Sequence, residues 1–155
     1  MTRSELSASD RRLPILLGLS GASTAKLLDA LDETAAWPID GYLIASPYYL
    51  RPTQRGLLQH FTALADHASW PLVLYNIPYR TAVNLTNDTL LQLAEHPNIV
   101  GIKDCSADRA QSVEFISRKP ADFRVLTGED AHYHEALTDD ADGAILLSAN
   151  LKTEA

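Results

Sequence analysis

Strand-sized apolar runs recur along this chain, and each is followed by a turn and a segment whose apolar residues return at helical spacing. The runs are Leu13 to Leu19, Gly41 to Ser46, Pro71 to Asn76, Ile99 to Asp104, Phe123 to Thr127 and Gly143 to Ser148. Between them lie Ser23 to Trp37, Gln54 to Ser69, Thr86 to Glu95, Ala107 to Arg118 and Asp130 to Thr138, with apolar positions such as Leu57, Leu58, Phe61, Leu64 and Ala65. A strand that is apolar throughout must be covered on both faces, and a helix between two strands can do so while returning the chain for a parallel neighbour. The pattern therefore predicts an α/β protein with a parallel sheet. Ser23 and Thr86 are placed to cap helices, and Asp88 falls in a first turn, where it opposes the helix dipole.

The 155 residues, 46% hydrophobic and 21% charged, suit one globular domain. Residues 13–155 form that expected domain, and residues 1–12 are a polar N-terminal segment. A formal net charge of -7 argues against nucleic acid or an anionic membrane surface as partner, since either favours a basic face. No apolar stretch approaches the roughly 20 residues that span a bilayer. The first residues, Met1-Thr2-Arg3-Ser4-Glu5, lack the basic then apolar order of a signal peptide, so a cytoplasmic location is expected. Cys105 is the sole cysteine, which rules out an intrachain disulfide and a cysteine-based zinc site; two residues after Lys103 it reads as a small apolar filler, with a reactive thiol as the alternative.

Two architectures share this alternation, an open doubly wound sheet and an eight-stranded (β/α)8 barrel. Six strands complete only the first. Polar and special residues nevertheless end nearly every strand: Gly18-Leu19-Ser20-Gly21, Ser46-Pro47-Tyr48-Tyr49, Tyr75-Asn76-Ile77-Pro78, Lys103-Asp104, Gly128-Glu129-Asp130 and Ser148-Ala149-Asn150. A barrel gathers all those ends around one mouth, whereas an open sheet concentrates function at a single switch point. The expectation is an incomplete TIM barrel with about six strands present.

Lys103 closes the apolar run Ile99-Val100-Gly101-Ile102. Desolvation disfavours an ammonium ion, so an amine at such a place can serve as a Schiff-base nucleophile toward a ketone or aldehyde. A lysine re-entering water at a strand end is the plainer alternative. Tyr75 ends the preceding strand, and a phenol beside an amine can relay protons while a carbinolamine forms and dehydrates. Arg80 supplies a planar fork for a carboxylate. Taken singly, Tyr75 reads equally well as a buried aromatic and Arg80 as a solvated loop charge.

The runs Ser46-Pro47-Tyr48-Tyr49 with Pro52-Thr53, Tyr75-Asn76-Ile77-Pro78 with Arg80-Thr81, Gly101-Ile102-Lys103-Asp104 and Gly128-Glu129-Asp130 resemble, in order and spacing, the dihydrodipicolinate synthase branch of the pyruvate-dependent class I aldolases. The resemblance runs from about Leu13 to the C-terminus. It implies that Lys103 forms the Schiff base with pyruvate, that Tyr75 is the proton-relay phenol, and that Arg80 binds the carboxylate of the incoming aldehyde, such as aspartate semialdehyde. It also implies that Ile145 lines the pyruvate pocket and that Tyr49 reaches into a neighbouring subunit's site, which makes the protein a homo-oligomer. No metal and no organic cofactor is implied. Arg80 favours this branch over the similar N-acetylneuraminate lyases. Another 2-oxo-acid aldolase and a non-catalytic, degenerate member of the superfamily are the alternatives.

Set against the resembled family, the sequence is expected to lack the first two barrel strands, the Gly-Thr-Thr-Gly-Glu loop that ends the second of them, and the helices that normally follow the last strand. An arc of six strands leaves two open edges and an uncovered lumen, so self-association is expected and turnover by this chain alone is in question. Three other signals yield to plainer readings. Gly18 to Lys26 follows a strand and opens a helix, but Ala25 and Leu27 stand where a phosphate loop needs glycine and a hydroxyl. His132 and His134 fall on different faces of a helix start, which does not make a metal site. Asp139, Asp140 and Asp142 read as a solvated acidic turn.

Overall fold

Burial alternates along the strands, and that alternation sorts the chain into layers. In β2 (Gly41–Ala45) Tyr42 and Ile44 are fully buried, as are Leu72 and Leu74 in β3 (Leu72–Asn76). Ile102 in β4 (Ile99–Asp104) and Val125 in β5 (Arg124–Thr127) are equally covered. These residues meet the helices, while Leu43, Tyr75, Lys103 and Leu126 stand on the opposite face and are only partly covered. The computed structural model describes residues 13–151, so the polar segment 1–12 lies outside the described residues.

β1 (Leu16–Leu19) and β6 (Gly143–Ala144) complete a six-stranded sheet in the order β1-β2-β3-β4-β5-β6, with every pair parallel. Sequential order without reversal is the order of a barrel wall, and it separates this sheet from the doubly wound type, in which strand order reverses at a switch point.

Helices α1 (Thr24–Thr34), α2 (Gln54–His67), α4 (Asn87–Ala94) and α5 (Arg109–Arg118) pack on one side of the sheet; the short α3 (Pro78–Thr81) and α6 (Tyr133–Thr138) lie nearer its carboxyl end. α1 buries Leu27, Leu31 and Thr34, and α2 buries Leu57, Phe61, Leu64 and Ala65, both at the spacing of one helical stripe. Each wholly buried leucine contributes roughly 1.5–3 kcal/mol, and truncating Leu74 or Leu64 to alanine costs about 2–5 kcal/mol once the cavity is included. Phe115 from α5 meets Phe123 edge to face at 5.6 Å and anchors that helix below β5.

Helix starts follow local chemistry, with one exception to expectation. The side chains of Ser23, Thr53 and Asp108 accept from the backbone N–H three residues on. Thr86 precedes α4 but does not cap it, because its hydroxyl donates instead to Gln54 Oε1 at 3.3 Å and meets Thr89 at 3.2 Å. The last expected strand is also shorter than the run Gly143 to Ser148. Its ladder continues only to Ile145, whose N–H reaches the Thr127 carbonyl at 2.9 Å, and residues Ser148–Asn150 turn into a 3-10 helix.

The acidic turn is not simply solvated. Asp139 accepts from two nitrogens of Arg109 at 2.5 and 2.8 Å. Asp142 accepts from Arg124 Nη1 at 2.7 Å and from the Val125 N–H at 2.9 Å, so the turn ties the start of β5 to the approach to β6.

Candidate active site at the carboxyl end of the sheet

Tyr75 and Lys103 are partners in the register of β3 and β4, and Lys103 is in turn opposite Leu126 of β5. This pairing depends on a bulge. Leu72 pairs with Ile99, but Val73 pairs with Gly101, so Val100 is an extra residue in β4. Without the bulge, Tyr75 would oppose Ile102, whose side chain points to the helices. With it, Tyr75 and Lys103 share one face, and the Lys103 Nζ lies 4.4 Å from the centre of the Tyr75 ring.

A buried polar clamp holds the two strand ends one residue beyond that pair. Asn76, completely buried, donates to Asp104 Oδ1 at 3.0 Å and to Asn84 Oδ1 at 2.8 Å, and accepts from the Leu85 N–H at 3.1 Å. Asp104 also accepts from the Ser106 N–H, the Ser106 hydroxyl and the Ser112 hydroxyl at 3.0, 2.9 and 2.7 Å. Asn84 continues to Gln111 at 2.7 Å, which returns to the Leu85 carbonyl at 2.9 Å. Nearly every polar atom in this network is paired, which makes the ends of β3 and β4 rigid. Asn84, Ser106, Gln111 and Ser112 carry no spacing signal in the sequence, because their partners come from separate elements.

Burial, and then the neighbouring Cys105, push the Tyr75 phenol well above the usual tyrosine range. Cys105 is itself 1% exposed, and burial raises its thiol to about 11, with Lys103 pulling the other way. Its Sγ lies 4.0 Å from the Tyr75 hydroxyl, so the residue that reads as a filler also touches the phenol. A protonated phenol over this range can donate to a developing alkoxide and take the proton back, as a relay must.

The remaining candidates fall at different distances from this pair. Arg80, on α3, stacks over the Tyr79 ring at 5.4 Å and lines an open cleft with Tyr75, Tyr48, Ser20, Ile77 and Thr81. Tyr79 donates to Glu129 Oε1 at 3.0 Å, which raises the Tyr79 phenol and links α3 to the end of β5. Ile145 stands beyond β6, one strand past Thr127. Tyr49 is 89% exposed and holds a φ of 71°, so its side chain packs against little of its own chain. Among the described residues, no group of three or more His, Cys, Asp or Glu is arranged to hold a metal ion, and no helix is long and apolar enough to cross a membrane.

The fold and this arrangement define a class, the (β/α)8-barrel proteins, of which the chain contains six strands with a lysine and a tyrosine at neighbouring strand ends. Comparison with known proteins gives the family. The model of the dihydrodipicolinate synthetase family matches residues 1–155, and the chain belongs to that family. It is 42% identical over 146 residues to 4-hydroxy-tetrahydrodipicolinate synthase 2 of Clostridium acetobutylicum, covering 94% of this chain and 51% of that protein. The solved synthase of Methylacidiphilum fumariolicum SolV superposes with a TM-score of 0.92 at 36% identity, covering 96% of this chain and 50% of that one. The chloride-inhibited, pyruvate-bound synthase of Acinetobacter baumannii superposes with a TM-score of 0.88 at 36% identity, covering 97% and 54%. The chain spans about half the length of the relatives it matches.

Proposed function

We propose that this chain carries the pyruvate-activating part of a dihydrodipicolinate synthase type of lyase. The observation that carries the reading is the Lys103 amine lying 4.4 Å from the centre of the Tyr75 ring on adjacent strands. In this reading the unprotonated amine attacks the ketone carbon of pyruvate and gives a carbinolamine. Loss of water gives the iminium, and loss of a methyl proton gives the enamine that adds to an aldehyde such as aspartate semialdehyde. Tyr75 passes the proton to the departing hydroxyl, and Arg80 holds the carboxylate of the aldehyde as it enters through the cleft that both residues line. Ile145 lines the pyruvate pocket in this reading. The pyruvate bound by the Acinetobacter baumannii relative supports this choice of first substrate.

Tyr49 enters the reading through a second copy of the chain, because its ring is exposed and little of its own chain covers it. A homo-oligomer in the cytoplasm is therefore part of the proposal. A second reading, a family member that holds pyruvate without turning it over, is favoured by the Tyr75 hydroxyl itself, whose hydrogen-bond partner among the described residues is a thiol 4.0 Å away.

Exchange of the pyruvate methyl protons in heavy water, followed by proton NMR, tests enamine formation without needing the aldehyde. The reading expects exchange catalysed by the chain and lost in Lys103→Ala. Exchange equal in the two proteins would overturn it.

A further inference from the structure

Gly128 lies two residues beyond Leu126, the β5 partner of Lys103, on the same face of the sheet. Its backbone is not in the left-handed region, so conformation alone does not call for glycine there. Space does. A Cβ at Gly128 would come under 3.0 Å from both Cys105 Sγ and Lys103 Cε, and would stand 3.1 Å from Lys103 Cγ. The Lys103 side chain thus has its amine over the Tyr75 ring and its methylenes against the bare Cα of Gly128.

We propose that Gly128 is a positioning residue for Lys103, whose missing side chain is what lets the amine lie against Tyr75. The consequence for catalysis rests on the Schiff-base reading above; the placement does not. Cys105 is buried and has nowhere to retreat, whereas the end of a lysine side chain is flexible. An added methyl group at Gly128 is relieved on the lysine side by Lys103 swinging away, whereas its overlap with the buried Cys105 sulfur has no such exit and costs stability unless the sulfur is removed. Gly101 is the contrasting case, since a Cβ there would meet the Arg124 carbonyl oxygen, a backbone atom that cannot move without disturbing the β4 and β5 pairing.

The test compares Gly128→Ala with the parent chain by NMR after selective 13C labelling of lysine, with Lys103→Ala assigning the signal. In the parent, the Lys103 ε-methylene is shifted upfield by the Tyr75 ring. In Gly128→Ala it moves to the position of a free lysine and the melting temperature falls through the overlap with Cys105, a fall largely removed when Cys105→Ala is added while the lysine signal stays displaced. Reductive trapping of pyruvate slows by about 100-fold, the cost of moving a reacting group by about an ångström. An unchanged Lys103 signal in folded Gly128→Ala overturns the proposal. If Gly128→Ala does not fold, the pair Cys105→Ala with Gly128→Ala removes the buried sulfur and carries the same measurement, with the same outcome against it. Absence of trapping in the parent chain would count against the function proposed above, and the ring-current comparison would still decide the role of Gly128.

Discussion

Tyr75 faces Lys103 across β3 and β4 because β4 carries Val100 as one extra residue, which moves the register by one position just before the site. A single-residue shift in a sheet changes which face a side chain occupies. The bulge thus places the phenol beside the amine. The Asn76 to Asp104 hydrogen bond of 3.0 Å then fixes the two strands at the next position.

Asn76→Ala removes the centre of that clamp and leaves the Leu85 N–H and the Asp104 carboxylate short of a partner in a buried setting. The expected loss is about 2–4 kcal/mol of unfolding free energy in urea melts. Trapping of pyruvate should slow as well, because the strand ends are freed. A variant as stable as the parent would show that the network is dispensable.

Tyr75→Phe keeps the ring beside Lys103 and removes the relay. Adducts with pyruvate should still form, while methyl-proton exchange falls by roughly 10²- to 10⁴-fold. The folded phenol holds its proton more tightly than the unfolded one, so the stability it contributes is complete below about pH 10 and is lost as the pH rises beyond. Alkaline melts of Tyr75→Phe should therefore show less loss of stability above that pH than melts of the parent.

His60 is a buried base on α2. Its Nδ1 pairs with the Thr24 hydroxyl at 2.8 Å, its Nε2 has no partner, and burial lowers its pKa to about 4. Between that value and about 6.5 the unfolded chain binds a proton that the folded chain refuses. Stability is accordingly held above pH 6.5 and lost on acidification toward pH 4, by up to about 3 kcal/mol from this residue. Thermal melts of His60→Leu should lose that part of the pH dependence; an unchanged acid slope relative to the parent would contradict it.

Tyr49 holds a left-handed backbone that an L side chain adopts at a cost. Tyr49→Gly should raise the stability of the chain by about 1 kcal/mol, since no buried contact is lost. The same change should slow methyl-proton exchange if the ring serves a second copy. Destabilisation would mean that the ring packs within its own chain.

The strands and helix bodies were legible because each carries a period: near-continuous apolar runs for the strands, and a stripe such as Leu27, Leu31 and Thr34 for a helix. What escaped was set by contacts between elements. The bulge at Val100 has no local signature, and Thr86 reads as a cap until Gln54, thirty-two residues away, takes its hydroxyl. α3 is a four-residue helix opened by Pro78 within a run that reads as a loop, and it is what carries Arg80 to the cleft. Of the site, Lys103 and Tyr75 were legible as neighbours, and the clamp of Asn76, Asn84, Asp104 and Ser112 beneath them was not.

Borohydride reduction of the chain in the presence of pyruvate, followed by peptide mass spectrometry, tests the central claim most directly. The account predicts a reduced pyruvyl adduct on Lys103 and no adduct at that peptide in Lys103→Ala. A folded chain that gains no adduct, or gains it equally on other lysines, would contradict it.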